Sequence, residues 1–325
     1  MRSTEQYEVA ALVRNSDKGA QIASQYPTIR LVYGGLDSAE TLEEEARKAD
    51  IVLHCADADH VVAAEALTKG LAAHASDRPG YIIHTSGTGI LLFADTERQI
   101  FGEASQKIYN DWDGVSEVTT IPDFALHRNV DKIILASGSS NVKPAIVCPP
   151  TIYGQGRGPG NQRSIQLPEL SRCTLEMGHG IQVGAGKTYW TNVHVHDLSE
   201  VFVALVEAAA AGGGNASWGA EAYYFTENGE HVWGEISKAV VSAAYKGGFV
   251  LSDEVKPHSN DEINDMCHFG TGLWGANSRC RAIRARKLLG WSPKGKSIEE
   301  EIPDTVAFEA DLRGFVKHHA AKVTS

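Results

Sequence analysis

Cysteine is scarce in this 325-residue chain: Cys55, Cys148, Cys173, Cys267 and Cys280 are odd in number, far apart and contain no C-x-x-C. That excludes a disulfide framework or a zinc knuckle and fits a reducing, cytoplasmic setting. No stretch approaches the roughly 18 uninterrupted apolar residues of a membrane span, and the polar opening Met1–Gln6 has no apolar segment behind it. Neither a membrane anchor nor an export signal is expected. Positive charge is also in deficit, with 30 Lys and Arg against 41 Asp and Glu, a formal charge of −11. Such a surface repels a phosphate backbone, so nucleic acid is a poor partner and small molecules a better one. Internal repeats and low-complexity tracts are missing as well. What remains is ordinary globular composition, 42% hydrophobic and 22% charged, in a chain slightly longer than the roughly 250–300 residues at which single cores stop growing. One large α/β unit, or two cores sharing an interface, with a homodimer open to it, is the expected organisation.

Strand and helix signals alternate along the first half. Tyr7–Val13 reads as a short apolar strand, and 16–24 as a helix opened by Asn15 or Ser16. A strand over 29–33 precedes an acidic helix that Asp37 or Ser38 can cap and that runs to Lys48. Residues 50–54 (DIVLH) form a buried strand of the parallel kind, 59–73 a helix, 81–84 a strand, 123–136 a helix, and 145–148 a strand stopped by Pro149-Pro150. This alternation predicts right-handed βαβ crossovers and a doubly wound parallel sheet of the Rossmann-like kind, with ligands at the carboxyl ends of the strands. Those ends are Arg14-Asn15, Gly34-Gly35-Leu36, Cys55-Ala56-Asp57, Thr85-Ser86-Gly87 and Pro149-Pro150-Thr151. Beyond Thr151 the texture changes to the loop YGQGRGPGNQR and then to mixed short elements. Residues 1–150 are therefore read as the nucleotide-type domain and 151–325 mainly as a smaller α/β substrate lobe, with 191–211 returning to the first domain.

Four segments, in order, carry a resemblance. ADIVLHCADADH, CPPTIYGQG, NVHVHDLSEVF and NSRCRAIRARKLLGWSP are similar to the successive motifs of the extended short-chain dehydrogenases, the epimerase/dehydratase group. Within that group the chain most resembles fungal NAD(P)-binding proteins with an HTSGTG strand end. The resemblance covers nearly the whole chain and implies an NAD(P)-dependent oxidoreductase or epimerase/dehydratase-like activity on a small hydroxyl or carbonyl substrate. A second reading is a non-catalytic dinucleotide sensor or scaffold resembling NmrA-type regulators, and a third an inactive shortened form.

Two expected features are absent. A dinucleotide fold brings backbone close to the pyrophosphate through a glycine-rich turn between the first strand and first helix, and no such segment precedes Tyr7. The alternate glycines of 154–160 have no strand-loop-helix context. In the strand order 3-2-1-4-5 that the resemblance implies, the lost strand is the central one, so the strands at 7–13 and 50–54 should face a gap; a shortened amino terminus is the preferred explanation, and a strand supplied by another segment or chain the alternative. The second absence is catalytic: the family uses a tyrosine with a lysine four residues later, and none of the ten tyrosines begins Y-x-x-x-K.

Sliding the helical pattern onto the family places Asp123 at the tyrosine position and His127 at the lysine position. On a helix such an i, i+4 pair shares one face and could shuttle a proton; a helix-start aspartate and a surface histidine is the plainer alternative. Ser86 and Thr88 fall near the family's serine, or else satisfy a local turn. The resemblance further implies that Arg14 and Asn15 lie by the adenosine, where a positive side chain favours the 2′-phosphate of NADP over NAD. It places Gly35, Leu36, Cys55, Ala56 and Asp57 along adenine and ribose, Thr85, Pro150, Thr151 and Ile152 by the nicotinamide, and Tyr153 with His194 at the substrate. His194, His196 and Asp197 invite a metal reading, but no further ligands cluster with them and Asp197 suits a helix N-cap; no metal is expected.

Overall fold

The computed structural model describes residues 7–317. The polar opening Met1–Gln6 lies outside the described residues. Short βα units follow one another through the first third: β1 (Ala10–Val13), α1 (Ser16–Gln25), β2 (Arg30–Tyr33), α2 (Ala39–Lys48), β3 (Ile51–His54), α3 (Val61–Leu71) and β4 (Gly80–Thr85). A 3-10 turn over Thr88–Leu92 leads through α4 (Phe93–Arg98), β5 (Tyr109–Asn110) and α5 (Val115–Thr119) to α6 (Arg128–Ala136) and β6 (Val142–Cys148). The second half holds β7 (Thr151–Tyr153), α7 (Gln166–Met177), β8 (Gly180–Val183), β9 (Tyr189–His194) and α8 (Val195–Ala210). It continues through β10 (Tyr223–Phe225), β11 (Glu230–Val232), α9 (Trp233–Lys246), β12 (Val255–His258), α10 (Asn260–Met266) and α11 (Gly270–Gly275) to β13 (Cys280–Arg281), α12 (Arg284–Leu289) and α13 (Ile298–Leu312).

The fold is α/β, and its main sheet is parallel in the order β10-β6-β4-β3. β4 is buried at five successive residues, as a strand covered on both faces must be. The α2–α3–α6 layer and α8 supply that cover, and their apolar residues form one core with the sheet. α2 and α3 approach so closely that a Cβ on Gly70 would lie 2.3 Å from the carbonyl oxygen of Glu43, so only glycine fits there.

β1 and β2 pair with each other in parallel and with nothing else, as a separate two-stranded sheet. Among the described residues no strand joins β1 to β3, and the sheet is split where the central strand of the implied order would run. Burial records the split. Leu53 on β3 is 51% exposed and Tyr33 on β2 59% exposed, while α1 buries only Gly19. The spacing G-x-G-x-x-G does occur once, at Gly270–Gly275, a match the sequence reading passes over. It follows no strand; it forms α11, where Trp274 is buried in the second core.

That second core gathers α7, α9, α13, β8 and neighbouring segments. β9 lies between β7 and β11 in a small sheet of its own. α8 nevertheless packs on the first core through Leu198, Val201 and Leu205. Trp291 joins the first core too, its Nε1 donating to the carbonyl of Asp197 at 2.9 Å. No helix among the described residues is long and apolar enough to cross a membrane.

Because the β1–β2 pair has little cover, its amides should open far more often than those of the main sheet. Hydrogen exchange should show Leu12 and Val32 exchanging at least about a hundredfold faster than Ile83 and Val147. Equal protection in the two sheets would mean that the split carries no energetic consequence.

Candidate functional site

The carboxyl ends of β3, β4 and β6 meet along one edge, and the backbone continues the ladder past them: Ser86 N donates to Val147 O at 2.9 Å and Thr88 N to Pro149 O at 2.9 Å. From the lobe, Ser278 Oγ donates to the carbonyl of Thr88 at 2.8 Å. The turn 86–89 is thereby fixed between the two cores.

Beneath it lies a buried polar cluster. Asp131, fully enclosed on α6, accepts at one carboxylate oxygen from Ser86 Oγ at 3.0 Å and from Tyr223 OH at 2.8 Å. Burial pushes its pKa up to about 6 although those two hydrogen bonds pull the other way. The other oxygen faces His84 Nε2 at 3.7 Å, and His84 Nδ1 lies 2.9 Å from Nδ1 of His54. Burial, with His54 as neighbour, pushes His84 down to about 3, so it is neutral at working pH. Ser86 is therefore turned inward to Asp131, and the Thr88 hydroxyl is buried without a hydrogen-bond partner.

The expected Asp123–His127 helical pair does not form. α6 begins only at Arg128, because the Arg128 guanidinium donates to the carbonyls of Ile121 at 3.0 Å and Thr119 at 2.6 Å and holds 119–127 in a non-helical path. Asp123 sits at the exposed surface and pairs with Lys132 at 2.8 Å. His127 turns instead toward the strand ends. Its Nδ1 meets the Asp59 carboxylate at 3.0 and 3.1 Å, and its Nε2 lies over Gly87 and Gly89. That hydrogen bond holds the Asp59 carboxyl below the usual range.

The other expected positions divide into two groups. Arg14 is exposed past β1, Asn15 Oδ1 caps α1 by accepting from Lys18 N at 2.9 Å, and Gly35 has open space where a side chain would stand. Ser38 does not cap α2; its Oγ accepts from Gly35 N at 3.1 Å. Leu36 packs at the border of the first core, whereas Cys55, Ala56 and Asp57 are exposed. A 3.2 Å contact between His60 and Asp37 links the loops after β2 and β3 across the split. Thr85 ends β4 and Pro150 is buried; Thr151 is paired with Asn192 and has a partnerless buried hydroxyl, and Ile152 borders the first core.

Tyr153 and His194 do not open on a substrate space. Tyr153 is fully buried in the second core, and its hydroxyl donates to the carbonyl of Lys296 at 2.8 Å. His194, rather than Asp197, caps α8 by accepting from His196 N at 3.2 Å; Asp197 binds the amides of Lys294 and Gly295, both at 2.8 Å. The reason is that α8 starts directly at the end of β9, three residues earlier than an N-cap at Asp197 would place it.

Residues 2–219 match the model of the NAD dependent epimerase/dehydratase family. The chain belongs to that family. This epimerase/dehydratase-family chain is 39% identical over 97% of its length to the oxidase ucsJ of an Acremonium species, of which it covers 93%. A Schizosaccharomyces pombe protein is 22% identical over 93% of the chain and 92% of its own length. Among solved structures, DesIV, a dTDP-glucose 4,6-dehydratase from Streptomyces venezuelae, superposes with a TM-score of 0.64 at 17% identity, covering 94% of this chain and 88% of that one. UDP-glucose 4-epimerase from Thermotoga maritima gives 0.62 at 14% identity, with 95% and 93% covered. These superpositions establish the Rossmann-like fold. Family membership carries an NAD(P)-dependent, oxidoreductase- or epimerase-like character. At the strand ends of this family member Gly35 has open space around it, and the Thr151 hydroxyl is buried with no hydrogen-bond partner among the described residues. Among the described residues there is no glycine-rich strand-to-helix turn for the pyrophosphate.

Sequence reasoning missed Asp59, His54, His84 and Tyr223. The carboxylates of CADADH stand immediately past a strand end, the one signal that could have flagged Asp59.

A second buried imidazole gives a test of the electrostatics. His231 Nδ1 pairs with Asn192 Nδ2 at 2.9 Å, and burial pushes its pKa down to about 3. Its folded value lies below its unfolded one, so its contribution is complete above about pH 6.5 and is lost as pH falls toward 3. Asp111 and Asp131, both raised to about 6, act in the opposite sense between about pH 4 and 6. His231→Gln should therefore gain on wild type by about 1.4 kcal/mol per pH unit below about 6.5. Chemical denaturation of both proteins from pH 7 to 5 measures it, and parallel stability curves would contradict a neutral buried imidazole.

Proposed function

We propose that this chain is an NAD(P)-dependent oxidoreductase that interconverts a hydroxyl and a carbonyl group on a small molecule, in the crevice at the ends of β3, β4 and β6. Family membership supports the cofactor class, and the convergence of residues 55–59, 85–89, 127 and 149–151 on one edge is the observation that carries the location. The Acremonium relative's name, an oxidase, favours the oxidative direction. When bound, the dinucleotide accepts or returns a hydride. Thr151 and Ile152 would flank the nicotinamide, while Gly35, Leu36 and Asp57 would line the adenosine side. Arg14 is exposed and has no ion-pair partner among the described residues, so a 2′-phosphate would find a free guanidinium, and NADP is preferred to NAD. The buried cysteines, none in a disulfide, are in keeping with a cytoplasmic protein and a small-molecule partner.

Fluorescence titration with NAD(H) and NADP(H) tests the cofactor, and hydride exchange with a panel of small aldehydes, ketones and alcohols tests the reaction. Binding of NADP(H) is expected to be the tighter, and Arg14→Ala should weaken it roughly tenfold, the loss of one charge-assisted contact, while leaving NAD(H) unchanged. Equal effects on both dinucleotides would remove the preference for NADP. Binding without exchange on any substrate would favour the non-catalytic sensor, and no binding at all would sink both readings.

A further inference from the structure

Resting on the oxidoreductase reading above, we propose that Asp59 and His127 form the proton-handling pair of this crevice. His127 Nε2 is the atom that exchanges a proton with the substrate oxygen, and Asp59 is the positioning residue that fixes the imidazole's tautomer.

Three independent features meet at His127. First, its Nδ1 lies 3.0 and 3.1 Å from the two carboxylate oxygens of Asp59. A carboxylate only accepts, so Nδ1 carries the hydrogen and, in the neutral ring, Nε2 is left as the bare base. Second, the space around Nε2 is kept clear by glycine: a Cβ built on Gly87 would lie 3.1 Å from Nε2 and one on Gly89 3.3 Å. Third, the His127 backbone is in the left-handed region at φ 66, a costly conformation for a residue with a side chain. Tertiary structure thus holds a strained residue so that its ring reaches the strand ends. The side chain stays 16% exposed, enough for a ligand or solvent to reach it.

The titratable groups that face the ring come from each neighbouring element: Asp59 from the loop after β3, His84 from β4, and Asp131 from α6. Among the described residues only Asp59 hydrogen-bonds to it. His84 is already engaged with His54, and the hydrogen-bonded oxygen of Asp131 is taken by Ser86 and Tyr223.

In oxidation of an alcohol the carbinol C–H bond would break with its electron pair, leaving as a hydride to the nicotinamide of a dinucleotide held at the strand ends. The O–H bond breaks with its proton going to His127 Nε2, and the electrons of that bond become the second bond of the carbonyl. The imidazolium so formed keeps Nδ1–H on Asp59, whose negative charge offsets it, and releases the proton to solvent through Nε2. Reduction runs the same path backwards. The pair thus occupies the role that the missing tyrosine and lysine would have filled, from two segments 68 residues apart.

The test begins with the protein free of dinucleotide. Nitrogen NMR of uniformly 13C,15N-labelled wild-type protein, with the His127 ring assigned through its bonds to its own backbone, should show the Nδ1–H tautomer. Asp59→Ala should return the ring to a mixture dominated by Nε2–H, and Asp59→Glu should restore the wild-type pattern. An Nε2–H tautomer in wild type overturns the proposal without any variant, even if a substituted chain fails to fold. In hydride exchange with NADPH and the carbonyl panel, His127→Gln should lower kcat by about a hundredfold or more with KM and dinucleotide affinity unchanged. Asp59→Ala should lower kcat by about tenfold and Asp59→Glu recover most of it. Full kcat in His127→Gln would overturn the proton-transfer role. Failure of dinucleotide to bind would instead strike the oxidoreductase reading, and the tautomer measurement would still decide the pair.

Discussion

The carboxylate of Asp131 takes hydroxyl hydrogens from Ser86 and Tyr223, and that pair of bonds joins α6, the end of β4 and β10 at one buried point. A fully enclosed carboxylate is tolerable only with such partners, since an unsatisfied buried acceptor costs about 1–3 kcal/mol and a charged one more. Satisfying it fixes the turn 86–89, and the turn in turn presents Gly87 and Gly89 to His127. Asp131 is thus a structural anchor whose position determines where the candidate proton donor can stand. Burial raises its pKa to about 6, and its second oxygen, 3.7 Å from Nε2 of the neutral His84, has no hydrogen-bond partner among the described residues.

Against this well-tied half of the sheet stands the separate β1–β2 pair. The two are linked through side chains, such as His60 with Asp37, and not through a shared backbone ladder. Among the described residues no strand pairs with the second edge of β1 or of β3, so those edges lack the ladder that a continuous parallel sheet supplies. The half that would bind adenosine is therefore held less firmly than the half that would hold the nicotinamide and substrate. A ligand bridging both would stabilise the first half most, because binding to the ordered state shifts the local equilibrium toward it.

Much of the fold was legible because parallel α/β units leave a strong signal: short apolar strands, amphipathic helices between them, and turns at Gly34-Gly35 and Pro149-Pro150. The site was read less well. His127 was picked out for the wrong reason, as one partner in a helical pair with Asp123. Periodicity over 123–136 cannot register that Arg128 draws in the carbonyls of Thr119 and Ile121 and delays the helix. Tyr153 and His194 were placed at the substrate by position in a motif, yet in the pairing of β7 with β9 both are buried, Tyr153 in the second core.

By itself the sequence determined the fold class, the likeness to the epimerase/dehydratase family, and the lack of a Y-x-x-x-K pair, since each is a property of order and spacing along the chain. Only the tertiary structure decided which groups meet. Asp59 and His127, or Ser86, Asp131 and Tyr223, are brought together by strand order and by the points at which helices start. Those follow from packing and from where buried polar atoms find partners, and no local pattern of residues encodes them.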